Sequence, residues 1–101
     1  DRILSIEGLD VILLGPCDLA ASMGYIGDWH HPDVEQVVDD LFERVHKSGK
    51  KIGVSYGLCD EQELLLYQRR GVDMISIAAE TDFIVKGSKD LFHTMKSVFT
   101  S

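Results

Sequence analysis

Along the chain, apolar positions follow two periods in alternation. From Leu9 to Leu14 they form a short, continuous run after Gly8. Such a run is too short for a helix and suits a strand buried on both faces, as in a parallel sheet. From Pro32 the spacing changes: Val34, Val37, Val38, Leu41 and Val45 trace one apolar stripe of an amphipathic helix, which Gly49 stops. Pro32 suits the first helical position, Asp33 and Glu35 lie near the positive end of the helix dipole, and Lys47 lies near the negative end.

The pattern then repeats. Lys51 to Tyr56, carrying Ile52 and Val54, predicts a second strand. Asp60 and Glu63 have the spacing of a capping box and open a helix that runs to Arg70 and ends at Gly71. Val72 to Ala79 predicts a third strand, and Ile84, Ser88, Leu91, Met95 and Val98 mark the stripe of a last helix. Gly8-Leu9-Asp10-Val11-Ile12 and Gly71-Val72-Asp73-Met74-Ile75 echo each other, as reused helix-to-strand turns do, while Asp1 to Glu7 read as the last turns of a helix. The order β, α, β, α, β, α demands a parallel sheet, either doubly wound or closed into a barrel. Periodicity leaves both open, and three strands make the chain read as a part of a larger domain.

Composition narrows the function more than the fold. A formal charge of −7 and a pI near 4.8 repel phosphate backbones and anionic lipid, which argues against nucleic-acid and membrane-surface binding. The strongest apolar stretch, Val11 to Leu14, is far short of the ~20 residues of a membrane span. Cys17 and Cys59 have neither zinc-ligand nor disulfide-framework spacing, so a reducing cytoplasm is expected and Cys17 reads as a small buried side chain.

In both parallel folds chemistry gathers at the C-terminal ends of the strands, here the segments after Leu14, Tyr56 and Ala79. The first, Gly15 to His31, is a 17-residue connection, and connections beyond ~12–15 residues are usually functional or disordered. It opens Gly15-Pro16-Cys17-Asp18-Leu19-Ala20-Ala21-Ser22-Met23-Gly24. This run, directly after an apolar strand, resembles the metal-binding strand end of the HpcH/HpaI family of class II pyruvate aldolases. The resemblance extends to His31-Pro32-Asp33-Val34, to Gly49-Lys50, and through the last strand and helix.

The resemblance implies a (β/α)8 TIM barrel of the phosphoenolpyruvate/pyruvate type, with residues 1–101 as the C-terminal part of that one domain, its last three βα units. It implies reversible cleavage of a 4-hydroxy-2-oxo acid to pyruvate and an aldehyde, with Asp18 as one ligand of a magnesium, manganese or cobalt ion. Cys17, through its backbone, and Asp18 belong to the pocket for the substrate. The base lies on earlier strands in the family, so no catalytic residue is assigned within this chain, and relatives form trimers or hexamers. The residue types suit that chemistry, since a hard cation prefers carboxylate oxygen and backbone N–H groups can hold a carboxylate without a cationic side chain. Lys50 and Lys51 enter the second strand at the opposite end, so no Schiff-base lysine is indicated.

Departures from the family pattern bear on specificity. Ile77-Ala78-Ala79-Glu80-Thr81 stands where the family commonly reads Val-Gly-Val/Ser-Asp-Thr, adding a methyl group at a glycine position and lengthening a carboxylate. Ser55-Tyr56-Gly57 replaces a more apolar segment, and Cys17 an Asn, Ala, Ser or Tyr. Glu80 is expected either to support the site or to cap the last helix. His30 and His31 read as a helix start and surface contacts, Trp29 as a cover over the barrel mouth or a subunit contact, and His46 and His93 as helix-surface residues. Two other readings stand beside the aldolase. The citrate lyase β-subunit and malyl-CoA lyase branch more often reads Gly-x-Glu-Asp-Leu at this strand end. A non-catalytic, flavodoxin-like binding module would put Asp18 in a switch-point loop.

Overall fold

The apolar runs fold as a three-stranded parallel sheet in the order β1-β2-β3, from Val11–Leu14, Lys51–Tyr56 and Met74–Ile77. The computed structural model describes residues 1–100. Four helices connect and follow the strands: α1 (Pro16–Ser22), α2 (Pro32–Ser48), α3 (Glu61–Arg70) and α4 (Glu80–Phe99). Register sets Ile12 beside Ile52 and Leu14 beside Val54, then Val54 beside Ile75 and Tyr56 beside Ile77. Strand side chains alternate between faces, so these residues line the side that meets the helices.

The core lies on that side. Val34, Val38, Phe42 and Val45 of α2 are buried against Ile52, Val54 and Tyr56 of β2, with Tyr67 of α3 and Ala20 of α1 completing it. Burying each such aliphatic or aromatic side chain stabilises by about 1.5–3 kcal/mol. The opposite face carries Val11, Leu13 and Met74, which are 41%, 56% and 48% exposed and so form an apolar surface with no cover within this chain. Leu13, Gly53 and Met74 lie side by side there. A Cβ on Gly53 would come within 2.9 Å of Met74 Cε and 3.1 Å of Leu13 Cδ1, so its neighbours fill the space that it leaves.

Helix ends follow their residues. Pro32 opens α2, the His31 imidazole accepts from the Asp33 N–H at 3.1 Å, and Gly49 closes the helix in the left-handed conformation. Asp60 and Glu63 form the expected capping box of α3, closed by Gly71. The two echoing strand starts are equivalent: Gly8 and Gly71 both have positive φ, and Asp10 and Asp73 both hydrogen-bond β2. Lys50 Nζ donates to the carbonyls of Ile6 and Leu9 at the N-terminal end of the sheet, away from the strand ends of interest. Residues 1–6 form hydrogen-bonded turns, with the Ser5 N–H donating to the Asp1 carbonyl.

One expectation is corrected here. Gly15 to His31 is not an irregular connection throughout, because Pro16–Ser22 is helical; with seven residues and no side-chain cap, that helix shows neither a full apolar stripe nor a capping signature. The stripe of the last helix is present but buries nothing: α4 has no buried residue, and Leu91, Met95 and Val98 are more than half exposed. The radius of gyration is 17.6 Å, with a longest extent of 61 Å, against a radius of about 13 Å for a compact chain of this length. No helix is long and apolar enough to cross a membrane among the described residues.

Candidate active site

All three strands run in one direction, so Leu14-Gly15, Tyr56-Gly57 and Ile77-Ala78 open on a common edge. At the first, Gly15 is extended (φ −105°, ψ 96°) and Pro16 fixes the first turn of α1, where the Leu19 N–H returns to the Gly15 carbonyl at 2.9 Å. This turn puts Asp18 beside the strand end. A Cβ on Gly15 would lie 3.0 Å from Asp18 Oδ2, so the carboxylate lies back over the glycine and would have to shift to admit a side chain there. Asp18 and Cys17 are both exposed.

The expectation that Cys17 is buried is therefore corrected: Pro16 and Ala20 supply the inward face of α1, and position 17 points elsewhere. Its thiol is held above the ordinary cysteine range by partial burial and by the negative charges of Asp18 and Glu63. A thiol kept protonated is a poor nucleophile. Among the described residues no group of three His, Cys, Asp or Glu side chains is arranged to hold a metal ion, so Asp18 stands as a single anionic donor.

At the third strand end, Ala78 adopts φ 60°, a conformation that L-residues rarely take. Its N–H donates to the carbonyls of Tyr56 and Gly57 at 3.1 and 3.2 Å, which ties the ends of β2 and β3 together and ends the strand earlier than its sequence predicts. Glu80 is the first residue of α4 and does not cap it; Asp82 accepts from the Ala79 N–H at 2.8 Å instead.

Beside this edge the sequence reading missed a polar cluster. The His30 ring lies between two carboxylates, with Nδ1 2.9 Å from Glu35 Oε1 and Nε2 3.0 Å from Glu63 Oε1. Tyr56 donates its hydroxyl to Glu63 at 2.5 Å. Arg70 bonds Glu35 and also donates to Asp39 at 2.7 Å. Burial pushes Glu63 up, but hydrogen bonds from Tyr56 and His30 outweigh it and hold the carboxyl below its usual range. Tyr56 is driven far above the ordinary phenol range, first by burial and then by Glu63. Trp29 lies edge-on to Tyr56, with ring centroids 6.2 Å apart, so it covers the helix side of the β2 end. Glu63 was legible as a capping residue; its partner His30 is 33 positions away, beyond any local spacing rule.

The sequence profile of the HpcH/HpaI aldolase/citrate lyase family matches residues 1–86. The chain belongs to this family. Among curated proteins it is 33% identical over 96 residues to a 5-keto-4-deoxy-D-glucarate aldolase of Salmonella arizonae, covering 95% of this chain and 37% of that protein. It is 29% identical over 90 residues to a 4-hydroxy-2-oxo-heptane-1,7-dioate aldolase of Klebsiella pneumoniae, covering 89% of this chain and 33% of the relative. Among solved structures, an HpcH/HpaI aldolase/citrate lyase family protein from Burkholderia cenocepacia superposes with a TM-score of 0.83 at 27% identity, over 94% of this chain and 36% of its own. The chain thus spans about a third of the length of the relatives that it matches. Family membership displaces the flavodoxin-like alternative, in keeping with a strand order that follows the sequence without the reversal a switch point needs.

Proposed function

We propose that this chain forms the last three βα units of a (β/α)8 barrel aldolase, residues 1–101 being part of that single domain, and that Asp18 is one ligand of its divalent metal. The reaction is reversible cleavage of a 4-hydroxy-2-oxo acid to pyruvate and an aldehyde. The observation that carries the reading is the exposed Asp18 carboxylate lying over Gly15 at a strand's C-terminal end, 3.0 Å from where a Cβ would stand. Its chemistry fits a hard cation such as magnesium, manganese or cobalt, which prefers carboxylate oxygen. When bound, the cation supplies Lewis acidity toward the 2-oxo oxygen, where negative charge gathers as the carbon–carbon bond breaks. Asp18 holds it with one anionic side chain, and further ligands come from residues outside this chain, since no three-donor group lies among the described residues.

The backbone of Cys17, in the opening turn of α1, lies where it can orient the substrate carboxylate. The N–H groups of a first helical turn lack partners within their own helix, and this turn has no side-chain cap. No catalytic base is assigned to these residues. Assembly as a trimer or hexamer and a cytoplasmic setting belong to the same reading. The free-acid substrate is favoured over a CoA thioester because Gly15-Pro16-Cys17-Asp18 lacks the Glu-Asp pair of the lyase branch.

The test uses the full-length protein and follows pyruvate release. Asp18→Asn keeps the size and removes the charge, so turnover should fall by at least the roughly 10–100-fold that loss of a metal's outer support costs, with folding retained. Cys17→Ala should stay within a few-fold of wild type, because only its backbone is assigned a role. Undiminished turnover in Asp18→Asn, or a wild type indifferent to chelation, would remove the basis of the assignment.

A further inference from the structure

We propose that His30 is a positioning residue: in its protonated form it clasps residues 15–31 to α2 and α3, and loss of the proton loosens the segment that carries Asp18. The geometry of the ring is the ground for this. Both nitrogens face carboxylate oxygens at hydrogen-bond distance, Glu35 at 2.9 Å and Glu63 at 3.0 Å. A neutral imidazole has one N–H, so one carboxylate would then confront a lone pair; an imidazolium has two donors and satisfies both. Neither carboxylate is free to swing away. Glu35 is held by Arg70, and Glu63 by the Tyr56 hydroxyl and, in its capping role, the Asp60 N–H.

The clasp spans three parts of the chain and meets at one ring. His30 belongs to the connection after β1, Glu35 to α2 and Glu63 to α3. The titratable and charged groups around the ring are Glu35 and, behind Arg70, Asp39 on α2; Glu63, Arg69 and Arg70 on α3, with Asp60 at its cap; and Tyr56 on β2, whose hydroxyl is 3.4 Å from Nε2. Glu63 above all raises the imidazole above its ordinary range; burial, the next largest effect, opposes it, and Glu35 adds to the rise. With its pKa raised on folding, the clasp is complete below the ordinary imidazole value of ~6.5 and is lost as pH climbs through the raised one. The ring is 46% exposed and faces an open cleft of about 700 Å³, so its proton exchanges freely with solvent.

That the clasp steadies a metal ligand rests on the reading of Asp18 above; the clasp itself does not. The experiment therefore begins with the full-length protein free of metal and substrate. The imidazole resonances of His30 and amide-exchange protection across residues 15–29, corrected for intrinsic exchange, are followed from acid to alkaline pH. His30 should titrate above ~6.5, and protection of the segment should fall roughly fivefold or more through that titration, while α2 holds its protection. His30→Gln should abolish the pH dependence, and Glu63→Gln should bring the His30 titration down. A wild-type His30 that titrates at or below the ordinary value overturns the proposal, and so does an unchanged pH dependence in His30→Gln. If that variant does not fold, the wild-type titration and Glu63→Gln decide by the same criteria. Manganese affinity is then measured over the same range. If the clasp titrates while manganese binds equally throughout, the link to Asp18 falls; if no turnover is found at all, the aldolase reading fails and the clasp stands.

Discussion

Helices α2 and α4 carry the same message in sequence and meet opposite fates in the fold. Each has an apolar stripe at helical spacing, acidic residues in its first turn and a basic residue in its last. In α2 the stripe is buried, with Val34, Val38, Phe42 and Val45 at 3% exposure or less; in α4 Phe83, Leu91, Phe92 and Met95 are all more than half exposed. The stripe states that a helix has a face to bury, and neighbours decide whether it is buried. Helix α2 packs against β2 and α1. Helix α4 follows β3 and buries none of its described residues.

The largest effect that would sharpen this contrast comes from matched truncations in the full-length protein. Phe42→Ala should lower unfolding stability by about 3–5 kcal/mol, as for a buried aromatic. In the barrel proposed above, units outside this chain would cover α4, so Phe92→Ala should approach the same loss. Urea denaturation reads both, and a comparable loss at Phe92 would mean that residues outside this chain cover the helix. A smaller effect concerns polar ties. His46 Nε2 lies 3.0 Å from the Gly71 carbonyl and fastens the end of α2 to the end of α3. His46→Ala should cost about 1 kcal/mol by the same measurement, and no change would show that packing alone holds α2.

The smallest effect lies at the joint between β3 and α4. Ala78 sits at φ 60°, where glycine has no steric penalty. Ala78→Gly should raise stability by up to about 1 kcal/mol, since release from strain exceeds glycine's larger loss of backbone freedom. A thermal or urea midpoint that moved down instead would show that the methyl group is packed rather than strained.

What was legible in the sequence was whatever rests on local spacing. The three strands, the long helices, the Asp60–Glu63 box and the glycine stops all follow from positions within a few residues of one another. Strand ends shift by one or two residues, as at Ala78, because backbone conformation there answers to the hydrogen bonds that its N–H donates to the Tyr56 and Gly57 carbonyls. Helix α1 was missed for want of length, and the burial of Cys17 was misjudged with it, since a residue in an irregular loop has no predictable facing. The role proposed for Asp18 rests on the motif at its strand end. The His30 cluster had no motif, being assembled by tertiary packing from a connection and two helices.

The sequential order of the sheet also has a consequence for how the chain finds its shape. Pairing β2 with β3 brings together residues 21 apart, Gly53 and Met74, whereas pairing β1 with β2 joins Val11 to Lys51, 40 positions away. Closing the longer loop costs about 0.6 kcal/mol more in chain entropy for such a near doubling. The β2–α3–β3 unit is thus the cheaper to close, and it already contains the Asp60 box and the Gly71 stop that start and end its helix. On chain entropy alone, the pairing that brings β1 and Asp18 to the edge of β2 is the costlier of the two to close.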